Sequence, residues 1–247
     1  MHLGDFTAPS YVLAFVIVFF AFAIRGMLGF GSGLISVSLL IFLLPVKVVV
    51  PIVFLLDTVA SLSLGTYDFK EIRWAELPWL WVFTILGLIG GAWVLKLLPG
   101  DQVTLFLGVF ILLYVGYAFI VKPERLPQVS KVWGAPLGFL GGFIGSLYGG
   151  GGPSIVAYLQ MRHLDKRAFR ASFQFIAITD SVVRGTLYFL LGLLAGSAVV
   201  SALWLLPAVV LGLWIGNRLH FRIDARRFQY LVLLVLAATG LKLMMPF

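Results

Sequence analysis

The 247-residue chain is 61% hydrophobic and 11% charged, with a mean hydropathy of +1.07, whereas soluble domains carry about 25% charged residues. Its apolar runs follow one another with short polar breaks, which excludes an ordinary water-soluble domain or a separate soluble core. The net charge of +8 sits in short clusters between those runs, which excludes a nucleic-acid face, and the lack of cysteine excludes disulfides and thiolate metal sites.

In chain order, the opening MHLGDFTAPS has no basic residue before the first apolar run. It lacks the n-region of a signal peptide, so the first hydrophobic segment is expected to be retained. Residues 11–44 are too long for one span and are interrupted by RGMLGFGSG, residues 25–33, an arginine with four glycines. Crossing about 30 Å of hydrocarbon takes roughly 20 helical residues. Residues 48–67, 78–98 and 103–121 meet that requirement. A second overlong region, 133–161, is cut by GSLYGGGGPSIV, residues 145–156, and further full spans follow at 171–194, 198–216 and 228–245. Each overlong region divides into halves too short for two full spans and is expected to form a helical hairpin or broken helix.

The two halves of the chain correspond. An offset of 120 sets GFGSGLISVSLL, from Gly29, on GGGGPSIVAYLQ, from Gly149; an offset of 123 sets Asp57 on Asp180; and 125 sets Gly87 and Gly91 on Gly212 and Gly216. Residues 1–247 therefore form a single transmembrane domain made of a first repeat, 1–124, and a second, 125–247, a length usual for transporter halves. If each broken region enters and leaves on one face, loops 66–76, 121–132, 161–170 and 217–227 share a side and hold thirteen Lys and Arg, against Lys47, Lys96 and Lys242 opposite. The bias makes the first face cytoplasmic and both termini external. The expected fold is an all-α integral membrane protein, a polytopic helical bundle of two inverted repeats, each a glycine-broken hairpin followed by three membrane-spanning helices.

Two basic residues remain, Arg25 and Arg184, and both lie inside apolar segments with Asp57 and Asp180 as acidic counterparts. An intramembrane cation costs roughly 2.5 to 3.5 kcal/mol on insertion scales, which makes each a functional-site hypothesis. Asp180 and Arg184 are four apart and share a helix face, so they are able to pair; such a pair either serves the site or merely neutralises itself. Arg25 has no charged neighbour within a turn, so its partner comes from elsewhere in the fold or from a ligand. The glycines release backbone N–H groups that point at an anion, at the partly positive ends of the second half-helices. Gly29, Gly31, Gly33, Gly150, Gly151 and Gly152 supply those amides, and Ser32, Ser36, Ser146, Tyr148 and Ser154 add hydroxyls. The competing explanation is close helix packing, preferred for Gly87, Gly91, Gly212 and Gly216. Asp57 and Asp180 are candidates for proton coupling, as ionisable groups at membrane depth commonly are.

At RGMLGFGSGLIS and GSLYGGGGPSIV, each followed by a helix carrying Asp57 or Asp180, the chain resembles the TauE/SafE sulfite-exporter-like family, the TSUP permeases. The resemblance covers nearly the whole chain, and the GGGGPS run is the more specific motif. It implies transport of small sulfur-containing anions such as sulfite, thiosulfate or sulfonates across a bacterial cytoplasmic (inner) membrane.

No Walker A, HExxH, GxSxG or paired-cysteine motif is present, so ATP-driven pumping and common hydrolytic chemistry are unsupported. His2, His163 and His220 are isolated loop residues, and Trp74, Trp79, Trp81 and Trp133 are expected as interface anchors. The residues thus point to a secondary transporter, not an enzyme, that alternates access around a site between the two glycine breaks. Arg25 binds the anion's charge, and Arg184 either assists or pairs with Asp180. A passive anion channel is the alternative, and an intramembrane enzyme a more distant one. The expected partners are a small inorganic or organosulfur anion, such as sulfoacetate, and the lipid bilayer, with a homodimer left open; no cofactor, metal or nucleic acid is expected.

Overall fold

The computed structural model describes residues 2–3, 6–29, 31–63, 69–120, 127–149, 151–219 and 225–245. Gly150, Phe30, His220 and the loop cations Lys122, Arg125 and Arg222 lie outside the described residues, as do the expected span ends at 64–67 and 121.

After a two-residue antiparallel pairing of β1 (His2–Leu3) with β2 (Phe6–Thr7), the described chain is helical. The first half contains α1 (Ala8–Leu28), α2 (Ser32–Leu40), α3 (Val46–Ser63), α4 (Leu77–Leu97) and α5 (Gly100–Ile120). The second contains α6 (Gly134–Tyr148), α7 (Gly152–Met161), α8 (Lys166–Leu190), α9 (Gly196–Leu219) and α10 (Ala225–Met244). Both glycine clusters separate helices, as expected. One expectation is corrected: α1 has 21 residues, about 31 Å at 1.5 Å per residue, and is long and apolar enough to cross a membrane. Arg25 and Gly26 stay inside that helix because the backbone leaves helical geometry only at Gly29, at φ +85°. The partner α2 has only 9 residues, and α6 and α7 have 15 and 10.

By length and composition α1, α3, α4, α5 and α9 qualify as membrane spans among the described residues. Helix α8 is longer still, at 25 residues, but carries Gln174, Thr179, Asp180 and Arg184 along its length. It starts five residues before the expected span because Asp165 caps it, accepting from the N–H groups of Ala168 (2.9 Å) and Arg167 (3.0 Å). Those bonds, Ala168's above all, hold the Asp165 carboxyl below the usual carboxylate range. The helix ends early where Gly192, at φ +70°, turns the chain.

Long apolar side chains such as Val12, Phe20, Leu86, Phe106 and Leu113 are exposed, the surface that a lipid solvent accepts and water does not. Trp74, Trp79, Trp81 and Trp133 are exposed near helix starts.

Glycines set the helix crossings. A Cβ on Gly87 would lie 2.1 Å from the Phe139 carbonyl oxygen, and one on Gly142 would lie 2.0 Å from that of Thr84, so α4 and α6 touch backbone to backbone. On the other side Gly212 and Gly216 meet the carbonyls of Phe19 and Ala23, joining α9 to α1. With Gly91, whose Cβ would lie 2.4 Å from the Phe143 carbonyl oxygen, the four GxxxG glycines Gly87, Gly91, Gly212 and Gly216 serve close packing. The register gives direction: Gly134 lies beside Leu80 and Phe143 beside Gly91, so α4 and α6 run parallel. Likewise Tyr11 donates to the Trp204 carbonyl at 2.7 Å while Ala23 meets Gly216, so α1 and α9 run parallel. Helices α3 and α8 run antiparallel, with Gln174 on Ser61 at one level and Tyr188 on Phe54 at another. Helices α5 and α10 also oppose, Gly108 meeting Leu243 and Ile111 meeting Gly240. Exchanging the halves exchanges α4·α6 with α9·α1 and leaves α3·α8 and α5·α10 unchanged.

Candidate functional site

The two chain breaks meet at the centre of this arrangement. Gly29 ends α1 by donating its N–H to the Arg25 carbonyl at 2.6 Å, and Gly31, at φ +97°, opens α2 without a side-chain cap. Left-handed φ of this size is cheap for glycine and costly for side chains bearing Cβ. Gly149 ends α6 in the same way on the Gly145 carbonyl at 2.8 Å, and α7 begins at Gly152 with Pro153 in its first turn. A Cβ on Gly33 would fall 2.3 Å from the Gly149 oxygen and 2.7 Å from Asp57 Oδ2, so only glycine allows the two breaks and the carboxylate to pack together. The uncapped first turns of α2 and α7 leave backbone N–H groups at this junction.

Arg25 finds its partner across the fold. Its Nη1 donates to Asp57 Oδ1 at 2.7 Å and to Ser32 Oγ at 3.0 Å, and its Nη2 donates to Ser61 Oγ at 2.6 Å. Ser32 in turn donates to Asp57 Oδ1 at 2.6 Å, so one carboxylate oxygen receives both groups. The Asp57 side chain is 9% exposed and that of Arg25 11%, so neither charge has bulk water to replace its partner. Opposite them, Arg184 pairs with Asp180 at 2.9 Å along α8, as the four-residue spacing predicts. Arg184 Nη1 also donates to the Gly145 carbonyl at 2.7 Å, and its guanidinium lies 4.8 Å from the Phe54 ring centre. Tyr188 donates to the Ser146 carbonyl beneath it. Among the described residues, the Nε groups of both arginines find no hydrogen-bond partner, though both are buried.

A cavity of about 170 Å³ lies between the two ion pairs. Arg25, Ser32, Asp57, Ser61, Asp180 and Arg184 form its polar wall together with Gly29, Gly31, Gly33, Gly149 and Gly152. Tyr114, Phe173, Ala177, Val232 and Leu236 are among the residues of its more apolar wall. Gly151 lines a smaller adjoining recess of about 70 Å³ with Gly145, Asp180 and Arg184. Other expected residues do not reach the cavity. Tyr148 points to α5, its hydroxyl donating to the Val103 carbonyl at 2.9 Å. The Ser146 side chain faces α4, 2.9 Å from a Cβ built on Gly91. Ser36 is fully buried within α2, and neither it nor Ser154 lines the cavity. Ser61, Gln174 and Phe54 were not singled out in the sequence. Ser61 had a signal, since it stands four residues after Asp57 on the same helix face. Gln174, which donates to the Ser61 carbonyl at 2.9 Å from α8, had none. Among the described residues no cluster of three or more His, Asp or Glu is able to hold a metal ion.

The comparisons with known proteins bear on this geometry. The family model described as sulfite exporter TauE/SafE matches residues 14–243. The chain is 25% identical over 195 residues, 78% of its own length and 81% of the relative's, to the probable inner membrane transporter protein TsaS of Comamonas testosteroni. No solved structure matches. A family model that spans both glycine breaks and every helix around the cavity identifies the chain as a member of the sulfite exporter TauE/SafE family, a membrane transporter and not an enzyme.

Proposed function

We propose that this transporter moves a small sulfur-containing oxyanion, of the sulfite, thiosulfate or sulfonate class, by alternating access around the cavity between the two Arg–Asp pairs. The observation that carries the proposal is the pair of buried guanidiniums facing one small cavity where two glycine breaks converge. Guanidinium forks and free helix-terminal amides are the groups that recognise oxyanion oxygens. At about 170 Å³ the cavity falls below the roughly 300–1,000 Å³ of sites for drug-sized ligands, which matches a small anion. Asp57 and Asp180 are the carboxylates available to carry a coupled proton.

The inverted arrangement is part of the proposal. Helix α1, parallel to α9, and helix α6, parallel to α4, start from opposite faces, and the basic loops then gather on the side where α3 ends and α8 begins. The positive-inside rule makes that side cytoplasmic. The relative from Comamonas testosteroni is described as an inner membrane transporter, and the same membrane is assigned to this chain.

Alternating access draws support from paired positions. The offset of 123 sets Phe173 and Ala177 on Val50 and Phe54; the offset of 125, which also separates the starts of α5 and α10 (100 and 225), sets Val232 on Leu107 and Tyr114 on Thr239. Phe173, Ala177, Val232 and Tyr114 line the cavity and are partly exposed. Val50, Phe54, Leu107 and Thr239, their counterparts, are all buried. A transporter of inverted halves reaches its second state by exchanging such environments, so the present conformation is inward-facing and the buried set lines the outward vestibule. Flux of labelled sulfite, thiosulfate and sulfoacetate in proteoliposomes tests the proposal. Accumulation against the anion's gradient when a pH gradient is imposed supports it, whereas purely downhill, conductive flux assigns a channel, and no flux of any of them removes the substrate class.

A further inference from the structure

We infer that Asp57, and not Asp180, takes up the proton that admits the substrate anion, so that the anion replaces the Asp57 carboxylate on Arg25. The inference rests on the transport proposal above and concerns how the two half-sites divide the work. With all four groups ionised, two arginines and two aspartates sum to zero. An anion entering that buried site adds an uncompensated charge, which a low-dielectric environment resists. Protonating one carboxylate restores neutrality and frees a guanidinium for the anion.

The geometry distinguishes the carboxylates. Asp57 Oδ1 is the point at which three elements are tied: Arg25 of α1 and Ser32 of α2 both donate to it, and Asp57 itself belongs to α3. Once its carboxylate is a neutral acid, the Ser32 hydroxyl and Arg25 Nη1 lose the charged acceptor that holds them, and both line the cavity. Arg25 Nη1, released from Asp57, and its neighbour Nη2 then present a guanidinium edge able to meet two oxyanion oxygens. Asp180 is tied differently. Its pairing with Arg184 lies within one helix, and Arg184 keeps the Gly145 carbonyl and the Phe54 ring whatever the charge on Asp180. Protonation there releases no second element, because Arg184 stays tied to α6 through the Gly145 carbonyl.

The charged and titratable groups that share Asp57's surroundings are few. Arg25 faces it from α1, and Asp180 and Arg184 stand across the cavity on α8, with the Tyr114 hydroxyl on α5. Helix α2 presents only serine, and α9, packed along α3, has Arg218, stacked on Trp214, as its one ionisable residue. In the step proposed, a proton adds to the Asp57 carboxylate, the Arg25–Asp57 ion pair opens, and the anion's oxygens replace the carboxylate on the guanidinium. No covalent bond other than the new O–H forms.

The experiment counts protons. Wild-type protein in lightly buffered detergent is titrated, with a pH indicator present, using methanesulfonate and thiosulfate, two anions that hold no proton of their own near neutral pH. Wild type should take up about one proton per methanesulfonate bound. With thiosulfate, whose second charge still calls for a proton once one aspartate is an amide, Asp180→Asn should take up about one proton, whereas Asp57→Asn should take up none with either anion and bind with little dependence on pH. Uptake that persists in folded Asp57→Asn, or thiosulfate-linked uptake that is absent in Asp180→Asn, overturns the inference, and the second arm decides the matter even where Asp57→Asn is not recovered folded. Binding by wild type without proton uptake also overturns it. A folded wild type that binds neither anion refutes the transport proposal itself.

Discussion

Arg184 donates a 2.7 Å hydrogen bond to the carbonyl of Gly145, the residue that stands at Arg25's position when the halves are offset by 120. The reverse also holds: Ser61, which accepts from Arg25 at 2.6 Å, stands at Arg184's position under the offset of 123. Each half therefore sets one guanidinium beside its aspartate, but the first supplies it from the broken helix and the second from the helix that follows. The two pairings match in kind and not in sequence position.

That relationship predicts a transplant. Arg184→Ser leaves Asp180 buried without its cation, a loss that typically costs about 3–5 kcal/mol, and should lower thermal stability in detergent. Adding Gly145→Arg returns a cation from the position Arg25 occupies in the other half, and a Cβ there has room, its nearest neighbours lying 3.6 Å away. The double variant should recover part of the lost melting temperature. A double variant no more stable than Arg184→Ser shows that the two positions are not equivalent.

The glycine crossings predict a sharp contrast. Gly142→Ala sets a methyl 2.0 Å from the Thr84 oxygen, and Gly216→Ala one 2.1 Å from that of Ala23, so each should destabilise by about 1–3 kcal/mol through overpacking. Gly116→Ala, in α5 with nothing within 4 Å, should be neutral or slightly stabilising, since alanine favours helix. Thermal unfolding of the three variants checks this, and equal effects at Gly116 and Gly142 remove backbone contact as the cause.

The chain has no cysteine, so single cysteines report on topology without background. Cysteines replacing Lys70 and Gln128, both exposed, should react with an impermeant thiol reagent only from the cytoplasm, and one replacing Lys96 only from outside. Labelling of 70 and 128 from opposite faces breaks the inverted arrangement.

Much of this was legible in the sequence because hydropathy and glycine carry it. The six expected spans fall on α3, α4, α5, α8, α9 and α10, of which α3, α4, α5 and α9 are long and apolar enough to cross a membrane, and both breaks fall where the glycines stand. The length of α1 was not legible, since Gly26 and Gly29 look alike in sequence and only the second leaves the helix. Arg25's partner was hidden for a different reason: Asp57 is 32 residues away, and no local spacing rule reaches so far. Tyr148 and Ser146 point away from the cavity, toward α5 and α4, and which face of an all-apolar helix turns inward is not written in its hydropathy.

Exchange of environments between halves predicts opposite reactivities. A cysteine at Ala177, on the cavity wall, should be reached from the cytoplasm, and one at Leu107, fully buried here, only from outside when the outward state forms. Any anion or pH gradient that raises labelling at one position should lower it at the other. Changes in the same direction, or a Leu107 position never reached, argue against alternating access.

The central claim is that Arg25 holds the substrate anion, and equilibrium titration of wild type against Arg25→Lys tests it most directly. Lysine keeps the charge opposite Asp57 and so preserves the buried pair, but an ammonium lacks the fork that meets two oxyanion oxygens. With whichever of sulfite, thiosulfate, sulfoacetate and methanesulfonate binds wild type most tightly, the variant should bind at least about tenfold more weakly, or about 1.4 kcal/mol. Unchanged affinity in a folded Arg25→Lys protein would contradict the account and move the anion to Arg184.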